Sequence, residues 1–256
     1  MKTRSLLCCV LTFVVVLNLP ILRAQEEESK GQLWLTSVLT VKPAMVAQHK
    51  SLMKEIVELC QKHSITYGWY TYHNGKSQYY RFYPVQDYGE IDNMEKTFAP
   101  IAKEWGTEKM TAFQETIDSY KDFFIRLPSE LSYIPENPRL KGEEQNYAIW
   151  DMYYVSPGKG KEHTALFKEY IALLKSKDYN AELHFCTGDI GMEGPVYFGM
   201  GYGKNKIDFL EQNKKMWELV GEEGWKIFRK GMALTKKRDK EEFWYLRDLS
   251  YIPENE

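Results

Sequence analysis

The 256-residue chain has only four cysteines, and Cys8 and Cys9 fall at its very start. The other two, Cys60 and Cys186, are too few and too far apart for a disulfide framework. With no CxxC pair and no zinc-like spacing, the common structural-metal and redox motifs are excluded as well. Both read as small buried thiols. Charge of one sign is also lacking, since 34 Lys and Arg face 36 Asp and Glu for a net of −2. Nucleic acid needs concentrated positive charge, so that partner class is set aside. No Walker loop, Gly-x-Ser-x-Gly elbow or dinucleotide fingerprint occurs. Gly199-Met200-Gly201-Tyr202-Gly203 only resembles one, because it lies along an expected strand and lacks the helix N-terminus that binds phosphate.

Long apolar runs are absent beyond residue 24. Before it, Lys2 and Arg4 precede an apolar stretch from Leu6 to Leu19, and Leu22-Arg23-Ala24 offers a small residue at a cut. This is the layout of a secretory signal peptide, too short and wrongly flanked for a stable span. Residues 1–24 are therefore expected to be removed. That takes away Lys2, Arg4 and Arg23 and leaves 31 basic residues against 36 acidic ones. A periplasmic or secreted location follows, with no membrane partner after cleavage.

Aromatics are plentiful at 14%, with 18 Tyr and 7 Trp, residues that suit a pocket wall as well as a core. The chain is also duplicated. Leu131-Ser132-Tyr133-Ile134-Pro135-Glu136-Asn137 recurs as Leu249-Ser250-Tyr251-Ile252-Pro253-Glu254-Asn255. Val41, Pro43, His49, Leu52, Lys54, Glu55 and Leu59 recur 114 residues later, from Val155 to Leu173. Two copies are too few and too long for a solenoid, so two globular modules are expected, 33–136 and 147–256. The connection 137–146 holds Pro138, Gly142 and several charges, as a surface linker does.

Each copy shows one order of elements. Leu33–Val41 and Tyr147–Val155 alternate as strands, and Val46–Gln61 has helical spacing, with Leu166 to Leu174 its counterpart. Ile65–His73 and Gln78–Val85 form a hairpin about Asn74-Gly75, repeated by Tyr179–Thr187 and Pro195–Tyr202. Second helices are expected over 91–105, kinked at Pro100, and over 206–220. A further helical turn is expected near Phe123–Leu127 and Phe243–Leu249, before the last strands. The pattern is β-α-β-β-α-β twice, an α+β chain of two ferredoxin-like units packed sheet to sheet.

That order, with Tyr153-Tyr154-Val155-Ser156-Pro157-Gly158-Lys159 running from strand into a Pro-Gly turn, resembles the dimeric α/β-barrel superfamily. It is similar to its NIPSNAP-like and antibiotic-biosynthesis-monooxygenase-like domains. The resemblance implies a barrel-like interior between two sheets and cofactor-free chemistry on a small organic ligand: oxygenation, isomerisation or lyase-type proton abstraction.

Strand alternation sorts the residues by face. If the helix-covered face is the more apolar, Phe82, Phe198, Trp69, Leu183 and Phe185 lie there. The space between the sheets then receives Asp151, Glu182 and His184 as a candidate catalytic set. Arg81, Tyr70, Tyr72, Tyr79, Tyr153 and Tyr197 become candidate ligand-binding residues. A carboxylate beside an imidazole suits a general base, and an arginine among aromatic walls suits an anionic group. The plainer alternatives are an exposed Glu182–His184 strand face and an Arg81–Asp151 pair that sets register. A second alternative function is a non-catalytic binding or stress-associated module. No cofactor or metal is called for. The partners considered are a small-molecule ligand and a second copy of the chain. His49 and His163, at equivalent places in the two first helices, are expected to pack structurally. The repeated Ser-Tyr-Ile-Pro-Glu-Asn tail is expected to act as a clasp, and Lys236–Glu242 to be a solvated charge run.

Overall fold

The computed structural model describes residues 31–253, so the leader, Cys8, Cys9 and the last three residues of the second tail lie outside the described residues. The first unit comprises β1 (Gln32–Val41), α1 (Val46–Lys62), β2 (Tyr70–His73), β3 (Gln78–Val85), α2 (Glu90–Glu115) and β4 (Ile117–Leu127). A two-residue strand, β5 (Ser132–Tyr133), follows. The second unit repeats the order with β6 (Tyr147–Val155), α3 (Gly160–Ser176), β7 (Leu183–Gly188), β8 (Val196–Gly203), α4 (Lys206–Ala233) and β9 (Thr235–Tyr245). Among the described residues no helix is long and apolar enough to cross a membrane.

The strands run in the order β4-β1-β3-β2-β9-β6-β8-β7, and β7 pairs back onto β4. The sheet is therefore a closed antiparallel barrel, with two helices from each unit on its outside. The units meet at two seams. Tyr72 and His73 pair with Tyr245 and Trp244, and Ile125 and Arg126 pair with Gly188 and Thr187. Closure removes the free edges that a single four-stranded unit would expose.

Several elements differ from the sequence expectation. Phe123–Leu127 is not helical but ends β4, and of Phe243–Leu249 the first three residues end β9 while Arg247–Leu249 does form the expected helical turn, of 3-10 type. Lys236–Glu242 belongs to β9 and pairs along β6, while Lys236, Lys237, Arg238 and Lys240 remain exposed as a solvated charge run does. The second helices run on to Glu115 and Ala233, and α2 passes through Pro100 and breaks at Gly106. Only Tyr70–His73 of the expected 65–73 strand is paired as β2.

The core is layered. Inside the barrel, Phe82, Trp150, Phe198 and Phe243 interlock edge to face, with Trp150 at 4.9 Å from Phe198 and 5.0 Å from Phe243. Outside, Val41, Met53, Cys60 and Trp69 pack beneath the first pair of helices, and Phe167, Leu174, Phe185 and Val220 beneath the second. Phe82 and Phe198 thus face inward and not toward the helices. The reason is burial: a closed eight-stranded barrel shields its interior more completely than two helices shield a sheet, and Phe198 is 0% exposed. Cys60 and Cys186 are free and buried, and desolvation pushes both thiols up to about 12.

Candidate functional site

The inversion of β3, β6 and β8 redistributes the expected site. Tyr79, Arg81, Asp151, Tyr153 and Tyr197 lie on the helix-covered side and not between the sheets. In the first unit that side is filled. Arg81 rests against the Met53 sulfur and 5.5 Å from the Phe113 ring centre, and Tyr79 packs on His49. Arg81 and Asp151 do not pair, because they belong to different units.

The second unit is open at the equivalent place. Ser37 pairs with Arg81 and Leu35 with Tyr83, whereas their counterparts Asp151 and Ile149 pair with Gly199 and Gly201. Register therefore puts glycines where the first unit has Arg81 and Tyr83. Along a strand, alternate residues share a face, so Gly199 and Gly201 strip side chains from the helix side of β8. The rings of Phe185 and Phe209 lean over these glycines, and the pocket they border has a volume of about 160 Å³. Its floor is Asp151, Tyr153, Gly199, Gly201 and Phe185, and its roof includes His163, Phe167, Tyr170, Met216, Trp217 and Phe228. The roof wraps around because α4 bends at Gly221, whose φ of +55° and ψ of −147° suit glycine alone.

Two buried polar atoms on this lining find no partner among the described residues: His163 Nδ1 and the Tyr170 hydroxyl. Desolvation takes His163 down to about 4, so it is neutral at physiological pH and offers one ring nitrogen to a neighbour. It sits 4.5 Å from Phe167, ring centre to ring centre, edge to face. At the rim, Arg238 donates from Nε to Asp151 Oδ1 at 2.6 Å and from Nη2 to Oδ2. The same guanidinium lies 5.6 Å from the Tyr153 ring centre and 5.1 Å from that of Phe228. Tyr197 borders the site through His163, its hydroxyl donating to the Gly160 carbonyl at 3.0 Å.

Glu182 reaches the same pocket from just before β7. Its Oε2 lies 3.7 Å from His184 Nε2 and accepts from Gln145 Nε2 at 2.9 Å. Those contacts, His184 first, hold the Glu182 carboxyl below the usual carboxylate range. His184 is 8% exposed and its Nδ1 is unpartnered among the described residues. Thus Asp151, Tyr153 and Glu182 share one pocket, with His184 and Tyr197 one contact behind its wall. Tyr70 and Tyr72 are elsewhere, in a separate cavity inside the barrel.

Sequence reasoning missed Arg238, Tyr170 and the two glycines. The usable signal was the alternation Gly199-x-Gly201-x-Gly203, which on a strand clears one face. His49 packs as expected, its Nδ1 meeting Thr116 Oγ1 at 2.9 Å and its ring stacking on Phe113, whereas its counterpart His163 is buried but lines the pocket.

No family model matches the chain, and no curated protein is similar to it by the same standard. Solved structures do match. An anthrone oxidase-like protein is 13% identical, with 86% of this chain covering 93% of that one at a TM-score of 0.57. A provisionally named monooxygenase from Lactobacillus acidophilus NCFM is 11% identical, covering 87% and 97% at 0.54. Chlorite dismutase from Candidatus Nitrospira defluvii, in complex with imidazole, is 10% identical, covering 88% and 96% at 0.51. The fold is the dimeric α/β barrel, built here from one chain. At these identities the likeness concerns architecture, since one fold hosts unrelated activities.

Proposed function

We propose that this protein binds a small organic molecule, about the size of one ring, beneath the helices of its second unit. The observation that carries this reading is the asymmetry of the duplication. Gly199 and Gly201 stand where the other copy has Arg81 and Tyr83, and two pocket-lining residues, His163 and Tyr170, each carry a buried polar atom without a partner among the described residues. A buried polar atom without a partner asks for a ligand atom or water, and ring-sized molecules fill apolar spaces of roughly 150 Å³.

The enzymatic form of the proposal is cofactor-independent proton abstraction in the service of oxygenation, isomerisation or elimination. Glu182, which lines the pocket, would be the base, and His184, behind the wall at 3.7 Å, the group that holds it in place. Asp151 is poorly suited to that work, because Arg238 occupies both of its oxygens. The alternative is binding without turnover, and the neutralised Asp151 favours it. An exported location, resting on residues 1–24, belongs to the same proposal.

Native mass spectrometry of the purified protein tests the binding. A mass adduct is expected on the wild type and is expected to vanish in Gly199→Val, whose side chain presses the Phe185 ring into the pocket. An adduct that persists in a folded Gly199→Val protein contradicts the site. Once the molecule is identified, Glu182→Gln and His184→Gln decide between the forms: lost turnover supports catalysis, and unchanged turnover or none in the wild type supports binding alone.

A further inference from the structure

The barrel interior holds a second cavity, and it is larger than the first, at about 460 Å³. The interlocked rings of Trp150, Phe82 and Phe243 form its floor and separate it from the opposite end of the barrel. Its walls are aromatic: Trp34, Tyr70, Tyr72, Tyr202 and Tyr245 surround it, with Tyr72 and Tyr245 at 5.1 Å between ring centres. Its mouth lies under the segment between β5 and β6, where Gly142, Glu143 and Gln145 meet Arg247.

The polar groups here are mainly donors. Among the described residues no hydrogen bond joins the hydroxyl of Tyr72 or Tyr202 to a protein acceptor, and both rings border the cavity. Desolvation raises both phenols far above their ordinary value, so each keeps its proton. Arg247 lies 5.7 Å from the Tyr245 ring centre and is anchored by one bond, Nη2 to the Glu143 carbonyl at 2.8 Å. A guanidinium has five donors, so that bond leaves others free to turn toward the mouth. Glu143 is the opposing charge at the rim, but it and Arg247 are exposed to water, which weakens its influence.

We propose that this chamber is a second binding site, for a planar aromatic molecule bearing a carboxylate, its rings between the tyrosines and its oxygens at Arg247. Stacked and edge-on aromatic walls favour a flat partner, and a planar guanidinium matches a carboxylate. The volume falls within the usual range for organic ligands, about 300–1,000 Å³. This site is independent of the helix-side pocket, although Tyr202 borders both.

Calorimetric titration of the full chain with 2-naphthoate tests the proposal. One molecule is expected to bind per chain. Ala148→Phe, which puts a ring into the chamber, is expected to abolish binding, Arg247→Ala to weaken it about ten-fold and Tyr72→Phe about three-fold. Gly199→Val is expected to change nothing. If Ala148→Phe does not fold by circular dichroism, the exposed Arg247→Ala and the conservative Tyr72→Phe decide. Binding that Gly199→Val removes and the chamber variants leave intact overturns this proposal while supporting the helix-side site. No binding to the wild type, or binding indifferent to Arg247 and Tyr72, overturns it as well.

Discussion

His49 and His163 occupy matching places in the two copies and meet different neighbours. Burial, with the Arg81 cation beside it, takes His49 down to about 3, and burial alone takes His163 to about 4. Both native histidines are therefore neutral where an unfolded histidine, near 6.5, begins to take up a proton. The unfolded state then binds more protons than the native one. Stability from these residues is fully present above pH 6.5 and is lost as pH falls toward 4 for His163 and toward 3 for His49. We expect His163→Gln to flatten the decline in denaturant midpoint between pH 6.5 and 4, by roughly 1–3 kcal/mol of pH-dependent stability. A variant whose midpoint falls as steeply as the wild type's would show that His163 is protonated in the folded protein. The repeat made both histidines visible in the sequence. Their neutrality was not visible, because it comes from rings contributed by other elements, such as Phe113 beside His49 and Tyr197 beside His163.

All strands but the last of each unit, and the helices, followed from periodicity, and the hairpin at Asn74-Gly75 followed from turn chemistry, with Gly75 at φ +76°. The expected Gln78–Val85 and Tyr147–Val155 are the observed strands β3 and β6. Faces were harder to read. Period two says which residues lie together but not which side a barrel encloses, and both sides here carry aromatics. Phe82 and Phe198 were therefore placed outward, and Arg81 and Asp151 inward. Charged strand β9 was missed for a related reason: alternation of Arg238, Lys240 and Glu242 with Asp239 and Glu241 has no apolar face to reveal it. The breaks in the long helices carry their own prediction. Gly106 and Gly221, 115 residues apart, both have positive φ inside a helix and open space where a Cβ would stand. Alanine at Gly221 meets no clash, so its cost is conformational, about 1–3 kcal/mol. Thermal denaturation of Gly221→Ala is expected to show that loss. A variant as stable as the wild type would mean that the helix runs straight and the pocket roof is not bent at Gly221.

The two copies hold each other by exchanged tails. Tyr133, from the first tail, donates its hydroxyl to the Tyr179 carbonyl in the second unit, and β5 pairs with β7. Tyr251, from the second tail, donates to the Ile65 carbonyl in the first unit at 2.7 Å. The same tail bonds through Leu249 O to Trp69 Nε1 at 2.9 Å and to Thr71 Oγ1 at 2.6 Å. Neither unit is complete without the other's chain end. Tyr251→Ala removes a buried aromatic at this junction and is expected to cost about 3–5 kcal/mol. Denaturant unfolding should remain a single transition for tryptophans of both units, Trp69 and Trp217. Two separated transitions would mean that the units fold independently.

At the scale of the molecule, the two copies share one barrel, but only the second has glycines where the first has Arg81 and Tyr83, and a pocket under its helices. Diffraction from xenon-pressurised crystals tests that difference most directly, because xenon enters apolar spaces without needing a specific contact. We predict a xenon peak in the second unit's pocket, among Tyr170, Met216 and Trp217 under its pair of helices, and none at the matching position beside Arg81 and Tyr83. Equal peaks in both units, or a collapsed second unit with Phe167 and Trp217 resting on β8, would contradict the account.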